Sequence, residues 1–192
     1  MGRPKALLPL GSGEIFLSRV VRTFLEADVD DVVVVVGHDA EAIVRAFAVS
    51  GLAARFVVNR DYERGQSSSL IAGLGMVDRP GVAACLLTLV DVPLIASSTV
   101  RAVVDRYRRT RAPIVRPVRG TEHGHPVLID HSLFDSLRHA DPAAGAKPIV
   151  RANASPAGDV EIDDDGAFAD IDTPEEYQRL VSSVGPGSSS PR

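Results

Sequence analysis

Apolar residues along this chain fall into two alternating spacings. Val32–Val36 and Leu86–Val90 are continuous short runs, the pattern of strands buried on both faces of a parallel sheet. Arg55–Val58 is a third, shorter strand. Between them apolar residues recur every three or four positions, which predicts amphipathic helices. One carries Leu17, Val20, Val21, Phe24 and Leu25 and ends near Asp28, and a second carries Ile43, Val44 and Phe47 behind an Asp39 cap. Leu70, Ile71 and Leu74 mark a third, and Val100, Val103, Val104 and Tyr107, opened by a Ser97 cap, a fourth. Regular alternation of strand and helix predicts a three-layer, mostly parallel α/β sheet.

Past Pro113 the rhythm changes. Ile114–Val118 and Val127–Ile129 read as strands joined by Arg119–Pro126, too short for a crossover helix, so a hairpin or antiparallel excursion is expected. Asp159–Asp163 reads as a late strand, Asp164-Asp165-Gly166 as a tight turn, and Thr173-Pro174-Glu175-Glu176 as a capping box that starts the last helix. The Gly-, Pro- and Ser-rich end offers nothing to pack. One domain over residues 1–184 and a disordered tail over 185–192 are expected.

Composition supports a packed domain, since 45% of the 192 residues are hydrophobic and 24% charged. A net charge of -4 argues against nucleic acid as a partner. The basic run Arg106, Arg108, Arg109, Arg111 lies opposite the apolar stripe of its helix and reads as a solvated face. The single cysteine, Cys85, sits in an apolar run and predicts packing in a reducing, cytoplasmic setting. No apolar stretch is long enough to predict a membrane span.

Candidate chemistry begins where the longest apolar run, Leu86–Leu94, is interrupted by Asp91 and then Pro93. Ligands of open α/β sheets bind beyond the carboxyl ends of strands, and Asp91 is predicted to stand there. Asp170 and Asp172 precede the last helix. Two carboxylates converging from distant segments suit magnesium, although acidic residues before helices equally serve as caps. Glu161, Asp163, Asp165, Gly166 and Asp172 approximate a calcium-loop spacing, but Val160 and Ile162 predict a strand where an entering helix is required. His123 and His125 lack a third nearby ligand and read as loop residues. Ser67, Ser68 and Ser69 suit either a helix cap or an anion site, and Lys5 either solvent or a phosphate.

Together these stretches resemble the MobA-like nucleotidyltransferase family, and within it the molybdenum cofactor cytidylyltransferases. The matching blocks are 1–10, 59–70, Leu89-Val90-Asp91-Val92-Pro93, Gly124-His125-Pro126 and 170–175, in the family's order. The resemblance implies a Rossmann-like sheet, a nucleoside triphosphate with CTP favoured over GTP or ATP, and Mg(2+) or Mn(2+). Lys5 would contact the triphosphate, and Asp91 and Asp172 would hold the metal. Asn59, Gly65, Ser67 and Ser68 would line the nucleotide, and Gly124, His125 and Pro126 would border the acceptor. A phosphorylated small molecule such as molybdopterin would receive the CMP group, with transient contact with a molybdoenzyme or its maturation factor. Two further readings stand beside this one. One is an oxidoreductase of the nicotine blue oxidoreductase type, although no dinucleotide fingerprint is present, and the other is a nucleotide-binding protein without catalysis.

The chain departs from the family at two places. Members carry a strand and a loop of the form Leu-Ala-Ala-Gly-x-Ser-x-Arg directly before the Met-Gly-x-Pro-Lys segment, whereas this sequence starts at that Met. Met1 is therefore expected to be an internal methionine of a longer natural protein. The sheet is expected to show a slot between 32–36 and 86–90, or N-terminal residues drawn into it. Val92 stands where the family usually has a polar residue.

Overall fold

A computed structural model describes residues 3–11, 13–142 and 144–183. The predicted tail at 185–192 lies outside them. The strands are β1 (Pro9–Leu10), β2 (Glu14–Ile15), β3 (Val33–Val36), β4 (Arg55–Val58), β5 (Ala84–Leu87), β6 (Ile114–Arg119), β7 (Glu122–His123), β8 (Val127–Asp130) and β9 (Asp159–Glu161). The helices are α1 (Phe16–Glu26), α2 (Ala40–Ala48), α3 (Gln66–Val77), α4 (Ser97–Thr110), α5 (Phe134–Arg138), α6 (Lys147–Asn153) and α7 (Pro174–Ser183).

Side chains alternate across the central strands, and each parity feeds a different core. Val115 and Leu128 pack with Val103 and Tyr107 of α4, while their neighbours Ile114 and Ile129 pack with Leu74 of α3 and with Phe134 and Leu137. Leu86 likewise faces α1 and α4, and Cys85 and Leu87 face α3. The sheet is therefore covered on both faces, which explains why its strands read as unbroken apolar runs rather than alternating ones. Cys85 serves packing, and burial pushes its thiol up to about 12.

The sheet is mostly parallel in strand direction. β3 and β4 are parallel, β6 and β9 are parallel, and β5 and β6 both run antiparallel to β8, so they share a direction. The turn between β6 and β7 is the expected hairpin. Among the described residues no ladder joins β3 to β5, so each keeps one unpaired edge. Among the described residues, no ladder joins residues 3–10 to either strand. Pro9–Leu10 pairs instead with Glu14–Ile15, after a single 3-10 turn at Lys5–Leu7. Helix α1 packs against both pieces: Leu17 and Val21 join Val36 and Phe47, and Val20 and Phe24 join Val92 and Val100.

Three local expectations are corrected. The strand expected to run to Asp91 stops at Leu87. Its partner β8 begins at Val127, paired with Leu87, and the next residue back is Pro126, which has no N–H to extend the ladder. Asp39 is not a side-chain cap; it adopts a left-handed conformation (φ 57°), and its carbonyl rather than its carboxylate accepts the Ile43 N–H. Ser97 is the first residue of α4 rather than its cap. The open N–H of Ala96 is taken by Asp164 Oδ2 at 2.9 Å, which also accepts from Thr99 Oγ1 at 2.6 Å.

The capping box of α7 forms as read. Glu176 Oε2 accepts from the Asp172 and Thr173 N–H groups at 2.9 and 2.8 Å, and Thr173 Oγ1 accepts the Glu176 N–H. Glu176→Ala leaves both of these donors without their partner. We expect it to lower the melting temperature by a few degrees in a thermal scan with the overall fold kept.

Candidate active site

Asp91 follows β5 through the irregular segment Thr88–Val90, and its backbone carbonyl accepts the Ile171 N–H at 2.8 Å. That bond sets the 170–172 segment beside Asp91. Two carboxylates from distant parts of the chain then meet one cation: Lys5 Nζ lies 3.0 Å from Asp91 Oδ2 and 2.5 Å from Asp172 Oδ1. Burial pulls the Lys5 ammonium down, but its hydrogen bonds to Asp172 and Asp91 outweigh this and its pKa is raised. Asp170 is pushed up by burial and by the Asp91 carboxylate. Lys5, which the resemblance assigns to the triphosphate, is thus spent on carboxylates in this state.

The donor set fits a divalent ion that keeps positions open for phosphate. Asp91 Oδ1 is buried and without a partner, and Lys5 already marks the point where one cation satisfies both carboxylates. Among the described residues no three His, Cys, Asp or Glu side chains gather as a metal site, so substrate oxygens and water would complete the shell.

Asn59 is buried at the carboxyl end of β4, and its polar atoms are engaged within the loop. Its Nδ2 donates to Ser68 Oγ at 2.8 Å and Ser69 Oγ at 3.0 Å, and its Oδ1 accepts the Asp61 N–H. Ser68 Oγ donates to the Gly65 and Asp61 carbonyls, and Ser67 Oγ donates to the carbonyl of Pro142. Asn59 and Ser68 therefore shape the loop rather than present free groups. Gly65 precedes α3 with φ 91°, a conformation glycine adopts without strain, and it turns the chain into the α3 amino terminus. No hydrogen bond or ion pair among the described residues joins this loop to Lys5, Asp91 or Asp172.

Gly124-His125-Pro126 leads into β8 through a cis bond between His125 and Pro126. Burial lowers the His125 pKa, a hydrogen bond with the Leu87 backbone opposes that, and Asp170 and Asp91 lie close enough to be felt. His125 Nδ1 and Thr88 Oγ1 are buried without partners.

One structural element was not legible as part of the site. The turn at Asp165–Ala167 binds its surroundings together: Ala167 O accepts the His125 N–H at 2.8 Å, and Asp164 holds the start of α4. Arg119 of the hairpin reaches Asp165 at 2.5 Å and stacks 4.6 Å over the Phe168 ring. A Cβ on Gly166 would sit 2.1 Å from the Leu94 carbonyl oxygen, and one on Gly124 would sit 2.5 Å from that of Ala167. The sequence signals the turn through Asp164-Asp165-Gly166, but nothing local signals what it touches. Val92 is fully buried with Ile95 and Val100, which accounts for an apolar residue there.

Residues 1–157 match the MobA-like NTP transferase domain family. Among curated relatives, nicotine blue oxidoreductase of Paenarthrobacter nicotinovorans is 28% identical over 94% of this chain and 90% of its own length. A probable molybdenum cofactor guanylyltransferase of Natronomonas pharaonis is 27% identical, covering 85% and 82%. Of solved structures, Rv0371c of Mycobacterium tuberculosis superposes with a TM-score of 0.79 at 26% identity, covering 95% of this chain and 90% of that one. A structure of Rv0371c in complex with manganese also matches, with a TM-score of 0.77, 26% identity and coverage of 94% and 93%.

Proposed function

For a chain that belongs to the MobA-like NTP transferase family, and so is a nucleotidyltransferase, we propose transfer of a CMP group from CTP to the phosphate of a small-molecule acceptor, molybdopterin first. The observation that carries this reading is the convergence of Asp91 and Asp172 on a single cation. An oxygen of the acceptor phosphate attacks the α-phosphorus and forms the new P–O bond. The bond from that phosphorus to the bridging oxygen breaks, and pyrophosphate leaves. Such a step needs alignment and charge neutralisation more than a side-chain base.

The residues take these roles. Asp91 and Asp172 hold a divalent ion, Mg(2+) or Mn(2+), which would neutralise the phosphates when bound. Lys5 turns to the triphosphate. The loop held by Asn59 and Ser68 presents Gly65, Ser67 and the α3 amino terminus to the nucleotide, where backbone N–H groups favour an anion. Gly124, His125 and Pro126 border the acceptor, with His125 kept neutral by burial. CTP ranks first because the five matching blocks, taken together, resemble the cytidylyltransferase branch. Delivery of the product would bring transient contact with a molybdoenzyme or its maturation factor. No helix among the described residues is long and apolar enough to cross a membrane, and we place the reaction in the cytoplasm.

The Paenarthrobacter relative's name favours a second reading, an oxidoreductase, yet the sequence holds no G-x-G-x-x-G fingerprint. The test is pyrophosphate release with CTP, GTP or ATP, with and without molybdopterin and Mn(2+), beside NAD(P)H binding on the same preparation. Release that needs both acceptor and metal, fastest with CTP, is expected. Tight NAD(P)H binding without CTP binding would replace this reading by the second, and CTP binding without release by that of a non-catalytic nucleotide-binding protein.

A further inference from the structure

We propose that Lys5 is a resident counter-ion that occupies the Asp91–Asp172 pair until a divalent cation and a nucleotide arrive together, so that metal alone binds poorly. The inference rests on the metal reading above and extends it to the order of binding.

The geometry separates what can move from what cannot. Lys5 stands on a 3-10 turn fixed by Leu7, which is buried with Leu17 and Val36, and by the backbone bonds Leu7 N–H to Pro4 O and Leu8 N–H to Lys5 O. Its backbone is held, and its four-carbon stem is free to swing. Both acidic residues are anchored at their backbones. Asp91 is tied through its carbonyl to the Ile171 N–H, and Asp172 through its N–H to Glu176. Among the described residues no other lysine or arginine makes an ion pair with either carboxylate.

A divalent ion that takes both carboxylates must displace the ammonium of Lys5, a side chain only 29% exposed, which would lose both partners at once. A triphosphate oxygen offers that ammonium a new one. Metal and nucleotide therefore assist one another through Lys5, in addition to any direct chelation, and the assistance is reciprocal because it is a coupling of binding equilibria. The same ammonium lies between two like charges that would otherwise repel.

The test measures Mn(2+) affinity by electron paramagnetic resonance on the full chain, first with Mn(2+) alone and then with a non-hydrolysable CTP analogue. Lys5→Met removes the competing ammonium but keeps its stem. It is expected to bind Mn(2+) alone about tenfold more tightly than the wild type, the scale of losing a pair of partly exposed ion pairs. Lys5→Arg keeps the charge and is expected to bind like the wild type. The gain in Mn(2+) affinity on adding the analogue is expected to be smaller in Lys5→Met. Equal binding of Mn(2+) alone by wild type and Lys5→Met, or Lys5→Arg as tight as Lys5→Met, overturns the inference while leaving the metal site standing. Absence of Mn(2+) binding in all forms, even with the analogue, overturns the metal reading itself and this inference with it.

Discussion

Asp91→Asn is expected to abolish metal-dependent CTP binding and pyrophosphate release while the chain still folds. The carboxylate supplies one of only two protein ligands proposed for the metal, with Oδ2 facing Lys5 and Oδ1 buried without a partner. An amide keeps the shape and removes the charge that holds a divalent ion. Loss of second-shell partners alone typically costs roughly 10–100-fold in metal affinity or activity, so losing a ligand should exceed that range. The fold should survive because the structural bond of this residue is its backbone carbonyl to Ile171, which Asn retains. Isothermal titration of CTP with Mn(2+), beside a thermal melt, checks both halves. Unchanged CTP affinity with an unchanged melt removes Asp91 from the site.

Gly166→Ala should be the most damaging single methyl group near the site. Its Cβ would come 2.1 Å from the Leu94 carbonyl oxygen, 2.5 Å from the Leu94 carbonyl carbon and 2.9 Å from its Cβ, and two of these atoms are backbone that cannot swing aside. Overpacking of this kind costs roughly 1–3 kcal/mol, and the backbone contact places it toward the upper end. For a chain of this size that corresponds to a melting temperature lower by roughly 6–12 °C. Relief must come from moving the 164–168 turn away from the Asp91–Leu94 segment, which would also draw the 170–172 segment off Asp91. Turnover with saturating Mn(2+) should therefore fall more than stability alone explains. Gly75→Ala is the control, because nothing lies within 4 Å of its added methyl group. A melt of Gly166→Ala that matches wild type would show that the turn does not clamp the site.

Much of the scaffold was legible because it is written in local period. Val100, Val103 and Tyr107 recur at helical spacing, and all three are buried on one side of α4. Thr173 and Glu176 close the box that their types and spacing announce. The length of β5 was misread for a reason equally physical. Apolar character continues to Val90, but a ladder needs a donor on the neighbouring strand, and the neighbour's run ends at Pro126. Asp39 and Ser97 were misread as caps because their types suit the role, whereas at Ala96 a carboxylate from residue 164 already held the position.

By itself, the sequence determined the alternation of strand and helix, the burial of the sheet on both faces, the last helix's start, and the set of charged residues that stand where apolar runs end. Those features depend on residues within a turn or two of one another, where side-chain period and backbone donors decide the outcome. Only the tertiary structure decided that Lys5 takes up both Asp91 and Asp172, partners 86 and 167 positions away, that Asn59 is spent on its own loop, and that the turn at Gly166 packs directly on the Leu94 backbone. Charge pairing across such separations depends on where the packed layers bring the backbone, and a carboxylate's type is the same whether it meets an ammonium, a metal ion or water.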